Sequence, residues 1–414
     1  MVYQEPFGSA LRKRRVEAGL SLDALAKALH YSKGQLSKIE NNVSRPSQLL
    51  ARQADALLGT GGELLALAEE QSVRLRRGLR PPVGNEPACP PVQYADAAAA
   101  AADETTELAW WHQFDVLRSM GRHMAPGLVI PVVRASLRPL GQLMSVVRQP
   151  EARSRLGLLT ARYAEFLGWM AQEAGSDEQS LEWTRCAARI AAQAGDRSLT
   201  MYALVRESEL ALYEHDSDRV ISLARRAVAD PSSDVRTKGL AAHRLAQGFA
   251  LRGDHYRCLA ALDEAAEWLG QASGAGPAGP VLGSSTVADL SAAVTGWCLY
   301  DLGRPQQAAE LLERAITQIA PEAHRSRALY GARLALAHEA AGELDRMCDV
   351  TAQVLAAARG LGSATVRTQL AALARAVVRR HGHPPAKRLH IQLTAALDRG
   401  NPVDEPGLLF GEQR

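Results

Sequence analysis

The sequence predicts an all-α protein in two parts, a small N-terminal helical bundle followed by a long array of helix pairs. Three observations predict it. Apolar residues recur at three- and four-residue spacing along most of the chain, and alternating stretches are few. The fourteen residues Gly78 to Pro91 hold five prolines, which cannot continue a helix and read as an extended linker. Beyond it a glycine or turn residue returns at Gly175, His215, Gly253, Gly303 and Gly342, with spacings of 40, 38, 50 and 39 residues. These features set the expected boundaries at 1–77 for the first domain, 78–104 for a Pro/Ala-rich linker and 105–414 for the array.

The first domain is expected to hold five helices. Ala10 to Ala18 forms a basic amphipathic helix that Gly19 stops, because glycine takes left-handed angles cheaply. Ser21 caps a second helix, Leu22–Leu29, whose Leu22, Leu25, Ala26 and Leu29 share one face. After a short turn at His30-Tyr31, Ser32 caps a third helix, and Gln35 three residues on has the spacing of a capping box. Leu36 and Ile39 point inward. Lys33, Gln35, Ser37 and Lys38 remain outside, a short polar and basic edge suited to hydrogen-bonding guanine and adenine in a major groove. The three segments read as a helix-turn-helix. A fourth helix is expected over Ser47–Leu58, with Leu49, Leu50, Ala54 and Leu57 inward and Gly59-Thr60-Gly61-Gly62 ending it, and a fifth over Glu63–Val73.

This pattern resembles the phage-repressor or Xre-like helix-turn-helix family over residues 7–68. The family's "I-E-N/R-G" ending appears as Ile39-Glu40-Asn41-Asn42, and its following "R-P" as Arg45-Pro46. The resemblance implies double-stranded DNA as partner, with Ser32, Lys33, Gln35, Ser37, Lys38, Asn41 and Arg45 at the interface and Asn41 on a phosphate. It also implies a structural ion pair between Arg15 and Glu40. Gly34 stands where relatives often carry a base-contacting side chain, so direct readout is expected to be sparse.

Charge agrees with that division of labour. The formal net charge of the 414 residues is +3, yet residues 1–80 hold 13 Lys/Arg against 8 Asp/Glu, while 81–414 hold 35 against 37. Basic character therefore sits on the first domain, where phosphate binding needs it, and the remainder is not a second nucleic-acid surface. Five cysteines without C-x-x-C spacing suit buried thiols in a reducing cytoplasm rather than disulfides or a zinc site. No leader and no long apolar run appear, so a cytoplasmic location without membrane association is expected.

In the array, the turn residues align helix pairs that look like tetratricopeptide-type repeats of lengthened period. The clearest unit is Leu290–Pro321, where Gly296 stands at a position that must be small, Gly303 turns, Ala308 and Ala315 admit close packing and Leu312 fills the large position. The 50-residue spacing coincides with the Gly/Ala/Pro/Ser stretch Gly270–Gly283, a surface insertion of about ten residues. Such an array is an α-solenoid whose first helices line a concave side. Counting back from each turn places Arg162, Glu165, Trp169 and Gln172, then Tyr202, Glu209 and Tyr213, on that side. His243 and Gln247 follow, and then Trp297, Tyr300 and Asp301. Arg162, Trp169, Glu209, Tyr213, His243, Gln247, Trp297 and Tyr300 are the candidate ligand-binding residues, with the tryptophans expected to stack on a ligand.

A helix-turn-helix followed by such repeats resembles the peptide-sensing regulators of Gram-positive bacteria and a related actinobacterial group. In the peptide sensors, asparagines along the repeats clamp the ligand backbone. Asparagine here occurs at Asn41, Asn42, Asn85 and Asn401 alone. Either Gln, Arg, Glu and His substitute, or the effector is not a linear peptide, or the array binds a protein.

Phosphate-loop, nucleophile-elbow, dinucleotide and H-E-x-x-H signatures are absent, and His381, His383 and His390 lack nearby carboxylates, so no enzyme activity, cofactor or metal is expected. The leading functional expectation is a homodimeric transcriptional regulator whose array senses a small molecule or peptide. A regulator controlled by a protein docking on the array, and a phage-defence or antitoxin-like DNA-binding component, stand as alternatives.

Overall fold

The computed structural model describes residues 6–29, 33–41, 48–68, 104–274, 281–283, 286–380 and 382–399. Among them every regular element is a helix and none is a strand. The chain divides into two units, 1–93 and 94–414.

The first unit holds α1 (Phe7–Glu17), α2 (Leu22–Ala28), α3 (Lys33–Glu40) and α4 (Gln48–Leu58), and residues 63–68 are also helical. Helix α1 starts earlier than the sequence suggests because Phe7 is an anchor, fully buried with Leu11, Leu25, Leu36, Leu50 and Leu64. Gly19 sits at φ +67° and ends α1, and the Ser21 hydroxyl accepts from the Ala24 N–H at 3.1 Å, capping α2. Leu57, expected inward, is 47% exposed. The buried stripe of α4 is centred on Leu50, Ala51 and Ala54 with Leu58 partly covered, which leaves Leu57 at its edge. The buried Asp55 accepts from the backbone N–H groups of Leu64 (3.1 Å) and Leu65 (2.7 Å) and from the Thr60 hydroxyl. It thereby caps the 63–68 helix through the Gly-rich turn, a long-range cap that the local sequence does not announce. The His30-Tyr31 turn, Ser32, Arg45-Pro46, Ser47, residues 69–73 and the 78–103 linker lie outside the described residues.

The second unit opens with α5 (Glu104–His123) and α6 (Pro126–Val146) and continues as antiparallel pairs. These are α7 (Pro150–Glu173) with α8 (Asp177–Gln193), α9 (Arg197–Tyr213) with α10 (Ser217–Ala229), and α11 (Val235–Leu251) with α12 (His255–Gly274). Then come α13 (Leu290–Asp301) with α14 (Pro305–Thr317), α15 (His324–Ala341) with α16 (Leu344–Ala357), and α17 (Ala364–Val378) with α18 (Pro384–Arg399). The five turn residues picked out by their spacing all join the two helices of a pair and take positive φ, from +59° at His215 to +84° at Gly175. Aspartates start the helices: Asp196, Asp216, Asp234 and Asp289 each accept from the N–H three residues on, at 2.6 to 3.0 Å. Each such cap contributes about 1 kcal/mol. At Gly296 a Cβ would lie 2.7 Å from Leu312 Cγ, so only glycine lets α13 approach α14 this closely.

Two features go beyond the expected open array. A last pair, α17 with α18, extends it, and His383 is used there structurally: its Nε2 meets Asp345 at 3.1 Å and its Nδ1 accepts from the Ala386 N–H at 3.4 Å. More consequentially, the array curls back on itself, with α5 against α15 and α7 against α17. Arg325 at the start of α15 donates to the carbonyls of Gly121 (3.1 Å) and Met124 (2.8 Å) and to the Glu173 carboxylate (2.6 Å). Glu173 also accepts from Thr365 at 2.8 Å and from Ser363. Residues more than 200 positions apart are thus fastened in one buried cluster, and the concave side becomes a cavity rather than a trough.

Candidate functional site

In the first unit, Lys33 and Lys38 stand exposed on α3 with Gly34 between helix and solvent, and Ser37 is half-buried. The exposed Asn41 donates from Nδ2 to the Ser37 carbonyl at 2.9 Å, which fixes the end of α3. Ser32, Arg45 and the side chain of Gln35 lie outside the described residues. Arg15 holds α1 to α3 by donating to both carboxylate oxygens of Glu40, at 2.6 and 2.8 Å, and to the Leu20 carbonyl at 2.9 Å. A shallow depression beside this pair brings Arg12 and Lys13 of α1 next to Asn41. Glu17 and Glu40 line the same depression, Glu40 already held by Arg15. The basic character of α1 was legible, but the proximity of Arg12 and Lys13 to Asn41 depends on the α1–α3 packing.

In the second unit the cavity is walled by α5, α7, α9, α11, α13, α15 and the start of α17, and about 210 Å³ of it is open to the centre of a water molecule. Arg162, Trp169, Glu209, Tyr213, His243, Gln247 and Trp297 all line it. Tyr300 does not: three residues beyond Trp297 the helix has turned it toward the next pair, where it packs in the core with its ring 6.0 Å from the Arg333 guanidinium. Gln172 and Asp301, also expected to face inward, lie outside the wall, Gln172 accepting from Arg206 at 2.6 Å and Asp301 from Arg333 at 3.1 Å. The expectation of tryptophans free to stack on a ligand is narrowed as well. The Arg333 guanidinium lies 3.5 Å over the Trp297 ring and that of Arg325 lies 5.7 Å over Trp169, so one face of each indole is covered.

The cavity is built on arginine and carboxylate networks. Arg206 donates to Glu209 and to Gln172, and Arg244 reaches Glu209 at 3.4 Å and donates to Gln247 at 2.6 Å. Burial alone would push the Glu209 carboxyl up, but Arg244 and Arg206 hold it below the usual carboxylate range. Burial also opposes charge on Arg206, yet Glu209, Tyr202 and Glu165 keep its guanidinium above its ordinary value. Both glutamate and arginine therefore stay ionised.

His243 departs from this pattern. It is 2% exposed, and neither ring nitrogen has a hydrogen-bond partner. Burial, with help from Arg244 and Arg236, pushes its pKa down to about 3, so the imidazole is neutral at physiological pH and offers one donor and one acceptor. Trp297 Nε1, also buried on the wall, has no partner either. Buried polar atoms of this kind cost stability unless something else completes them.

Several wall residues escaped the sequence. Arg118 and Arg122 belong to α5, ahead of the first recognised repeat, and Arg325 and Tyr330 to the fifth pair, where the register of inward positions was not carried forward. Val281, Gly283 and Thr286 come from the insertion after α12, which crosses the concave side: Arg118 donates to the Val281 carbonyl at 3.1 Å and Arg236 to that of Leu282 at 2.8 Å. Val281 and Gly283, at the end of the insertion expected on the surface, are thus part of the wall, and 275–280 lie outside the described residues.

Fold and site together describe a chain with a helix-turn-helix at one end and a helical-repeat unit holding a cavity lined by charged and aromatic side chains. Residues 6–68 match the family model of a helix-turn-helix domain. No curated protein matches the chain. Among solved structures, the chain is similar to a Rap protein complexed with competence and sporulation factor, at 13% identity and a TM-score of 0.45, over 95% of this chain and 99% of that one. It is also similar to PlcR from Bacillus thuringiensis in complex with the peptide PapR7 and DNA, at 13% identity and a TM-score of 0.34, over 79% of this chain and 99% of that one. No helix among the described residues is long and apolar enough to cross a membrane.

Proposed function

We propose that the protein is a sequence-specific DNA-binding transcriptional regulator without catalytic activity, acting in the cytoplasm. Residues 1–77 read DNA, 78–104 tether them, and 105–414 bind an effector, a small molecule or peptide, in the cavity and dimerise. The observation that carries the reading is the coexistence of a helix-turn-helix domain with a buried cavity where His243 and Trp297 hold uncompleted polar atoms. Such atoms destabilise the fold and contribute when a ligand completes them. One small head makes few contacts, so the active species is a dimer bridging half-sites one helical turn, ~34 Å, or a multiple apart.

A tenfold effector-induced change in DNA affinity needs only about 1.4 kcal/mol of differential binding between two states of the array. The experiment is to select an operator from random duplex DNA, then titrate it by fluorescence anisotropy with and without the small-molecule fraction of a cell extract. DNA affinity is expected to shift at least about tenfold, and the Gln247→Leu variant is expected to keep DNA affinity and lose the shift. A folded Gln247→Leu protein responding like the parent would remove the cavity from the sensing role.

A further inference from the structure

We propose that the cavity takes a compact oxyanion, a small molecule bearing a carboxylate, sulfonate or phosphate on a planar apolar body. The proposal rests on the effector reading above and narrows it to a chemical class. The wall carries six arginines and three glutamates and no lysine, an excess of positive charge inside a unit that is not basic as a whole. Two of the glutamates are committed, Glu173 to Arg325, Ser363 and Thr365, and Glu209 to Arg206 and Arg244. The third, Glu165, lies 3.8 Å from Arg206 and shares the wall with Arg118, Arg122 and Arg162, so arginines outnumber carboxylates there and make a net positive pole.

Arg122 follows Arg118 by one turn of α5. Burial lowers the guanidinium of Arg162, with Glu165 opposing the shift and Arg118 reinforcing it, and burial lowers that of Arg118, with Glu165 opposing and Arg122 reinforcing. Like charges gathered in a buried wall repel, and an anion among them removes that repulsion. Exclusive use of arginine points to an oxyanion in particular, since a planar guanidinium fork matches two oxygens of a carboxylate, sulfonate or phosphate.

On the same wall the rings of Phe166, Tyr202, Tyr213 and Trp297 supply apolar surface for a flat body, and His243 and Trp297 Nε1 offer hydrogen bonds to its edge. Compactness follows from the volume, since about 210 Å³ is open to the centre of a water molecule. Arg325, bound to Gly121, Met124 and Glu173, and Val281 and Leu282, held by Arg118 and Arg236, stand on its sides.

The test uses the full-length protein and two dyes on the same ring system, 8-anilinonaphthalene-1-sulfonate and the uncharged N-phenyl-1-naphthylamine, each titrated by emission. One dye per chain is expected, with the sulfonate bound at least about tenfold more tightly. Arg162→Gln and Arg122→Gln should each reduce that preference below about threefold while N-phenyl-1-naphthylamine binding persists. Arg138→Gln, exposed on α6 away from the cavity, should leave it unchanged. If Arg162→Gln fails to fold by circular dichroism, Arg122→Gln, half-buried on α5, decides alone. Equal affinity for the two dyes, or a preference surviving in the folded variants, overturns the anion pole but not the effector reading, which the operator titration tests separately. Failure of both dyes to bind overturns the compact planar ligand.

Discussion

Replacing Glu173 by alanine attacks the cluster that closes the array. Glu173 is 3% exposed and accepts from Arg325 Nη1 at 2.6 Å, from Thr365 at 2.8 Å and from Ser363. Its loss leaves the buried Arg325 with two carbonyls and no counter-charge, and breaking a buried pair in this way costs about 3–5 kcal/mol. Unfolding entropy over a unit of this length makes that a fall of about 4–7 °C in melting temperature. Because repeat units depend on their neighbours, the loss should be local. Hydrogen exchange should accelerate in α5 and α17, which the cluster holds to α15 and α7, and not in α11 and α12. The double variant Glu173→Gln with Arg325→Met should cost less than the two single changes together, since it removes both charges at once. A melting temperature within about 1 °C of the parent, with unchanged exchange in α5, would show that closure does not depend on this cluster.

Three further outcomes are expected. Arg15→Ala removes two hydrogen bonds to Glu40 and one to Leu20 and should destabilise the first unit by about 1.5–3 kcal/mol, read by thermal melting of the full chain, with an unshifted melt refuting it. Lys33→Ala should weaken specific binding by about 1–3 kcal/mol and relax sequence preference, whereas Arg45→Ala should weaken all sequences alike, and equal loss on operator and scrambled DNA for Lys33→Ala removes it from the readers. His243 has a folded pKa near 3, below its unfolded value near 6.5, so its contribution to stability is full above pH 6.5 and declines as pH falls toward 3. Urea titrations between pH 7.5 and 5 should show the parent losing about 1–2 kcal/mol more than His243→Phe, and parallel curves would mean that the imidazole protonates in the folded state.

What the sequence made legible is what short-range chemistry encodes. Gly175, Gly253, Gly303 and Gly342 announce left-handed turns by themselves, Ser21 announces a cap, and Gly296 announces close packing because Ala308, Leu312 and Ala315 complete its pattern of small and large positions. Nine inward positions followed from counting one helical face back from each turn, and the count failed at Gln172, Tyr300 and Asp301, each near the end of its helix, where the side chain turns off the cavity. Arg325, Glu173 and Thr365 were not legible, since nothing in their local sequence says that α5 will meet α15. The Asp55 cap was hidden for the same reason: its acceptors serve N–H groups beyond a Gly-rich turn.

Charge carries the argument furthest. Summed over residues 81–414 the acids outnumber the bases by two, a balance that speaks against a second nucleic-acid surface and also conceals the cavity. A sum treats every charge alike, whereas the fold sorts them. Arg14, Arg219 and Arg257 sit in exposed pairs that water screens, while Arg162 and Arg206 are buried in the cavity wall, where each charge acts over a longer range. Outside the cavity wall the remaining residues of 81–414 are therefore net acidic while the wall is net cationic, a distribution that costs folding energy and that, on the proposed reading, a captured anion turns into affinity.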